Sequence, residues 1–361
     1  MITFWVSDAG SFGIEEYLAL RAPQLAGRVQ VRRYESLTPE LELDTGAHIF
    51  SALDQLTPAG REAVTILHDR LAPSCAPELL LNNPRKFRRR GDLLRMFFEA
   101  GINTFNAYRV TDSFDAIRYP VFVREESEHN GAVTGLITGR RDLVRALRAL
   151  RGRGFRSANL LIVELCDLSD PEGLFHTASA FKVGEYIVPA HLLRGRHWML
   201  KWTESDHGEQ ALRENLEFVT GNPHGEWLRR IFALAGIDYG RIDYGVRGDT
   251  LQVWEINTNP TLGPPRQPPA VPLAPGLEAL LMEARTTLRA GLLKGFQSLD
   301  SGADTGTATV RLEPRLISRI RAETVRAGRR ASLVRFLQRL YSGPMIGKLF
   351  RRIYARLLPR P

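Results

Sequence analysis

Asp243, Glu255 and Asn257 lie in one short stretch, RIDYGVRGDTLQVWEINTNPT (241–261). Arg247-Gly248-Asp249 reads as the turn of a hairpin, so the two carboxylates fall on neighbouring strands at a sheet end. Two acids and an amide make an all-oxygen donor set, the kind a hard cation such as Mg²⁺ takes. Arg241 precedes Asp243 by two positions and therefore shares its strand face. A fixed cation there suits negative charge that develops during a reaction. Phosphoryl transfer depends on positioning and charge neutralisation, and paired metal ions supply both. The bland alternatives are a solvated acid pair on a surface hairpin, with Arg241 an ion-pair partner for Asp243.

The elements that would position these residues follow from pattern. Residues 2–7, 29–34, 48–53 and 78–82 read as strands, with helices near 14–24 and over 57–72, the latter opening on an N-cap Thr57 with Pro58 at its first position. Strands alternating with helices predict a parallel α/β lobe over 1–85. A second, smaller lobe is expected over 86–165. It takes in the helix that Gly101 ends, the strand YPVFV (119–123), the glycine-bearing turn EHNGAVTG feeding another strand, the amphipathic helix 141–150 and the strand 159–167. A third lobe is expected over 166–297. It begins with an antiparallel pair (177–193) turning at Val183-Gly184-Glu185, followed by helix around 208–236, the acid hairpin, a proline-rich rim loop (263–276) and a helix (277–293). The small polar run 298–310 reads as a linker and 311–361 as a basic helical tail.

R-x-D, then twelve positions on E-x-N-x-x-P (Glu255, Asn257, Pro260), resembles the metal-binding hairpin of ATP-grasp ligases, most of all the D-alanine–D-alanine ligases and the ribosomal-protein glutamate ligases. The resemblance runs more weakly over 80–290, and the first lobe fits the family's N-terminal lobe. It implies an ATP- and Mg²⁺-dependent enzyme joining a small-molecule or peptide carboxylate to an amine through an acyl phosphate. Two Mg²⁺ ions, with Mn²⁺ a possible substitute, would be held by Asp243, Glu255 and Asn257, and Arg241 would steady the intermediate. Arg90 and Arg124 fall where the family places two phosphate-binding lysines. Arginine grips phosphate bidentately, with a geometry unlike a lysine point charge. Gly131 and Gly135 correspond to the loop that closes over the triphosphate, where glycine lets backbone N–H groups approach. VELCD corresponds to the adenine hinge, giving Glu164, Leu165 and Cys166 as base-reading residues and Glu172 or Asp170 as the ribose acid. Lys201 corresponds to a lysine from a covering loop. Each also has a structural reading: a basic helix start, a glycine turn, a strand end, a surface lysine. A kinase that stops at phosphoryl transfer, and a nucleotide-binding scaffold without turnover acting through its tail, are the alternatives.

Composition bounds the rest. A chain of 361 residues with 43% apolar and 25% charged residues is ordinary for a globular protein of two or three lobes. Two cysteines, Cys75 and Cys166, make no disulfide framework and lead to the expectation of a reducing, cytoplasmic setting. MITFWVSDAG reads as a first strand and not as a signal peptide. The histidines show no zinc or nucleophile–base spacing. The net charge of +9 is uneven: 14 of the 49 Lys and Arg but only 2 of the 40 acids follow residue 310. In the tail, PMIGKLFRRIYARLL (344–358) carries an apolar stripe flanked by basic residues, and LVRFLQRLY (333–341) does similarly. Such helices dock on their own protein or a partner, or lie on an anionic membrane surface, with nucleic acid a lesser reading.

Overall fold

The computed structural model describes residues 1–128, 131–264, 272–300 and 306–342, and side chains as far as residue 328. His129, most of the proline-rich rim loop and the apolar stripe of 344–358 lie outside the described residues, as do the side chains of 333–341.

The chain opens with β1 (Ile2–Val6), α1 (Phe12–Glu16), β2 (Val29–Arg33), β3 (Glu40–Asp44), β4 (Ala47–Phe50), α2 (Pro58–Leu71) and β5 (Leu80–Leu81). Four of the strands form the expected parallel sheet in the order β2-β1-β4-β5. β1 and β4 are buried at every position, as strands covered on both faces must be. The hydroxyl of Thr57 accepts the Gly60 N–H at 3.2 Å and Pro58 opens α2, as its sequence predicts. The helix expected near 14–24 is broken instead into α1, a wider turn at Tyr17–Arg21 and a short turn at Pro23–Leu25. Pro23 lacks the N–H that would continue it. α3 (Arg90–Glu99) follows.

The described residues of 105–165 pack as a unit of their own together with the described residues from 321 on, whereas those of 1–104 and 166–320 form one compact body. α3 thus belongs to the larger body and not to the smaller lobe in which the sequence placed it. The smaller unit contains β6 (Ala107–Arg109), β7 (Val121–Glu125), α4 (Arg140–Gly152) and β8 (Leu160–Glu164), its antiparallel sheet ordered β6-β8-β7. Val121, Val123, Leu143, Leu150 and Ile162 form its core. The strand expected after the glycine turn is reduced to two isolated bridges, Arg124 with Ala132 and Val121 with Ile137.

The larger body continues with β9 (Phe175–Val183), β10 (Tyr186–Gly195), α5 (Glu209–Gly221), α6 (Gly225–Ala235), β11 (Tyr239–Arg247), β12 (Thr250–Asn257) and α7 (Pro275–Leu299). The strands make an antiparallel sheet ordered β10-β9-β11-β12. Ala178, Ala180, Ile242, Tyr244 and Val253 pack on α3, α5 and α6. Phe181, Val183, Val188 and Tyr239 on the other face join β1, β4 and the apolar side of α7 in a second core. Gly291 lets α7 approach: a Cβ there would lie 2.6 Å from Val188 Cγ1.

The linker reading of 298–310 holds only in part. Residues 298 and 299 finish α7, 301–305 lie outside the described residues, and β13 (Thr307–Arg311) pairs antiparallel with β3. α8 (Pro314–Ser342) then begins the tail, and its Leu316, Ile317 and Ile320 are buried beside Leu67 and Leu71 of α2. Among the described residues no helix is long and apolar enough to cross a membrane.

Candidate active site

The site lies on the antiparallel sheet where the apolar contacts with the first lobe stop. Along β11, Tyr239 is the last residue of that core on its face, and Arg241, Asp243 and Gly245 follow at every second position. Across the ladder Arg241 faces Asn257 and Asp243 faces Glu255. On the other side Asp243 faces Ser179 of β9, which in turn faces His191 of β10. The three oxygen ligands read from the sequence, and Arg241 with them, therefore share one face of adjacent strands. Trp254 is the extra residue of a β-bulge, since Asp243 pairs with Glu255 but Tyr244 with Val253. The bulge restores the phase, so that Gln252, opposite Gly245, also lies on the site face.

Gly245 is a close-approach glycine. A Cβ there would sit 2.3 Å from the Trp254 ring and 2.5 Å from Leu168 Cδ1. The two apolar side chains thus cover the strand one step beyond Asp243. The sequence alone gave no sign of this platform.

Electrostatics tie the polar residues together. Arg241 Nη2 donates to Asp243 Oδ2 at 2.9 Å, and the Ser179 hydroxyl donates to Asp243 Oδ1. Arg90, at the start of α3, reaches Glu255 with Nη2–Oε2 at 2.8 Å. Burial works to lower the Arg241 pKa, yet Asp243 and then Glu255 hold it above its ordinary value. Arg241 Nε is buried with no hydrogen-bond partner. His191 is pushed down to about 4, first by burial and then by the Arg241 charge, so it stands neutral beside the cluster. Asn257 Oδ1 accepts the Asn259 N–H at 2.8 Å, which fixes the amide with its oxygen toward the strand exit. No group of three or more His, Cys, Asp or Glu is placed for a metal among the described residues. A set of two carboxylates and an amide fits an oxygen-seeking divalent cation nonetheless.

The supports around the site are mostly amides, which carry no periodic signature. Asn259 accepts from Ser51 Oγ at 3.0 Å and donates to Gly10 O at 3.2 Å, tying the exit of β12 to the loops after β4 and β1. Asn82 bonds the backbone of Tyr239 in both directions and also Phe50 O. Asn103 exchanges two hydrogen bonds with the Val253 backbone, and Gln252 accepts from the Thr104 N–H at 2.6 Å. The chain end of α3 is thereby fixed to β12.

No family model matches the chain, and no curated protein matches it in sequence. Among solved structures it has distant likenesses. D-alanine–D-alanine ligase from Bacillus anthracis complexed with ATP is 13% identical, over 84% of this chain and 99% of that one, with a TM-score of 0.41. The same enzyme from Helicobacter pylori is 11% identical over the same shares, with a TM-score of 0.44. The RimK domain protein ATP-grasp from Sphaerobacter thermophilus is 13% identical over 80% of this chain and 98% of that one, with a TM-score of 0.43. Likenesses this distant carry no functional weight; the side chains of the sheet do.

The remaining sequence candidates have individual settings. In the smaller unit, Glu164 is buried and its carboxylate accepts from Asn106 N–H, Tyr108 OH and Arg118, so the side chain is a structural anchor there. The Leu165 N–H donates to Pro120 O at 2.9 Å. Arg124 lies one residue before the end of β7, and Gly131, with a positive φ of 89°, precedes Ala132, which bridges to Arg124. Gly135 has open space where a Cβ would stand. In the larger body, Cys166 lies 3.8 Å from Gln252 Oε1. Glu172 is exposed on a turn that Asp170 organises by accepting the Glu172 and Leu174 N–H groups. Lys201 is exposed, one residue before the buried Trp202.

Proposed function

We propose that the chain is an ATP- and Mg²⁺-dependent ligase that joins a carboxylate to an amine through an acyl phosphate. The observation that carries this reading is the single file on one sheet face: the Trp254–Leu168 platform over Gly245, then Asp243 with Glu255, then Arg241 with Asn257. Alternate residues of a strand are about 7 Å apart. The file thus offers an apolar surface for a base, oxygen ligands for phosphate-bound cations, and a guanidinium for a transferred group, in that order. Asp243, Glu255 and Asn257 would hold one or two Mg²⁺ ions, whose role when bound is to neutralise the phosphates and align them for in-line transfer. Arg241, raised in pKa and with one N–H unpaired, is suited to an acyl phosphate and to the oxyanion formed when the amine attacks it. His191 stays neutral and adds no competing charge.

For the nucleotide we propose Arg90, Arg124, Lys201 and the N–H groups around Gly131 and Gly135 as phosphate donors. Glu164, Leu165 and Cys166 would read the base through backbone atoms, because the Glu164 carboxylate is already committed. Glu172, exposed and held by its turn, would take the ribose hydroxyls. The substrates would be a small-molecule or peptide carboxylate and an amine, and the setting would be cytoplasmic.

A second reading, a nucleotide-binding protein without turnover, is favoured by one observation: an arginine at position 90 pairs with Glu255 where a lysine would be the usual phosphate ligand. Phosphate release, followed over a panel of carboxylates and amines with Mg²⁺ present, separates the two. The ligase reading expects release that needs both a carboxylate and Mg²⁺. ATP binding without release for any pair would favour the second reading.

A further inference from the structure

The Glu255 carboxylate, one of the two acids proposed to hold Mg²⁺, is already engaged. Arg90 Nη2 lies 2.8 Å from its Oε2, and the two side chains are 7% and 10% exposed. Arg90 is the first residue of α3, and the chain leaving α3 is bonded to β12 through Asn103–Val253 and Thr104–Gln252. The helix that carries the guanidinium and the strand that carries the carboxylate are therefore locked to each other. The other acid, Asp243, is held by Arg241 and Ser179. Each of the two carboxylates thus has a guanidinium against it.

A divalent cation arriving at Glu255 would meet the Arg90 charge at close range in a place with little water to screen it. Arg90 can release Glu255 at low cost only if another anion accepts it. The polyphosphate of a nucleotide is such an anion, and guanidinium binds phosphate as well as it binds carboxylate. We infer that Arg90 gates the metal site: it holds Glu255 in the absence of nucleotide and transfers to the polyphosphate when nucleotide binds, releasing the carboxylate for the metal. The move needs only side-chain torsions, since α3 is fixed. The inference rests on the nucleotide-and-metal reading of the site. It adds an order of events, in which the metal does not bind firmly before the nucleotide.

The test uses the full chain, with Mn²⁺ followed by electron paramagnetic resonance, with and without ADP. Arg90→Gln removes the charge that competes with the metal. Its Mn²⁺ affinity without ADP is expected to rise about 5–150-fold over the unaltered protein, the range of a typical coupling between sites. Its ADP affinity without metal is expected to fall. Arg90→Lys keeps the charge, so its Mn²⁺ affinity without ADP should stay low. An unchanged Mn²⁺ affinity in Arg90→Gln, while the unaltered protein takes up Mn²⁺ with ADP, would overturn the gate and leave the site reading intact. Absence of Mn²⁺ uptake with ADP in every form would overturn the site reading itself. If Arg90→Gln does not fold, Arg90→Lys carries the test: affinity without ADP as high as with ADP would equally sink the gate.

Discussion

Arg241 shows how much a single residue owes to its register. Its partner across the ladder is Asn257 and its neighbour on the same face is Asp243, so one guanidinium is bonded to its own strand's acid and stands opposite the amide of β12. The R-x-D spacing was legible because a period of two fixes faces without any knowledge of the fold. Ser179 and His191 were not legible, because they reach the site through strand pairing and neither sits in a motif. Nor was the Arg90–Glu255 pair, which joins residues 165 positions apart. If Arg241 acts on the intermediate and not on the nucleotide, Arg241→Ala should lower kcat about 10²–10³-fold, as loss of one oxyanion donor does elsewhere. Its Kd for ADP in Mg²⁺ should change far less. Steady-state kinetics beside a binding titration measure the two separately, and equal losses in both would move Arg241 from chemistry to binding.

At the scale of elements, the hairpin β11–β12 and its turn were readable from alternation and the Arg-Gly-Asp turn, as was the parallel sheet from its apolar runs. The β3–β13 pair was not. Its strands are only five residues each, one within a run of small polar residues, and neither buries enough on its own to announce itself. The bulge at Trp254 was equally hidden, although it decides that Glu255 and Gln252 share a face. Asn82 is the most exacting of the joints between elements: one buried amide bonds Phe50 O, Tyr239 O and the N–H groups of Asp238 and Tyr239. Buried backbone groups left unpaired cost about 1–3 kcal/mol each. Asn82→Ala should therefore destabilise the larger body by at least about 2 kcal/mol in urea unfolding. Asn82→Asp, which keeps the acceptor and loses the donor, should fall between. A loss below about 0.5 kcal/mol, the range of ordinary surface changes, would mean that water replaces the amide and the joint is not structural.

The whole molecule carries its charge unevenly, with the positive excess beyond residue 310 and a slightly acidic remainder. The basic tail was legible by counting, but the burial of Leu316, Ile317 and Ile320 against α2 was not, since their spacing alone names no partner. Histidine sets a second global property. Burial, ahead of every other cause, lowers the pKa of His48, His68, His191, His207 and His224. In the unfolded chain histidine takes its proton near pH 6.5, so between that pH and the depressed values the unfolded state binds more protons than the folded one. Stability should be fullest above about pH 6.5 and fall as the pH drops toward 4. Urea midpoints measured across that interval check this, and a flat profile would contradict the neutral state of these rings. The central claim, that Asp243, Glu255 and Asn257 form one oxygen site for nucleotide-bound metal, is tested most directly by calorimetric titration of ADP with and without Mg²⁺. Tighter binding in Mg²⁺ for the unaltered chain, abolished in a folded Asp243→Asn/Asn257→Ala protein, is the expected result; ADP affinity indifferent to Mg²⁺, or a Mg²⁺ effect that survives both substitutions, would contradict it.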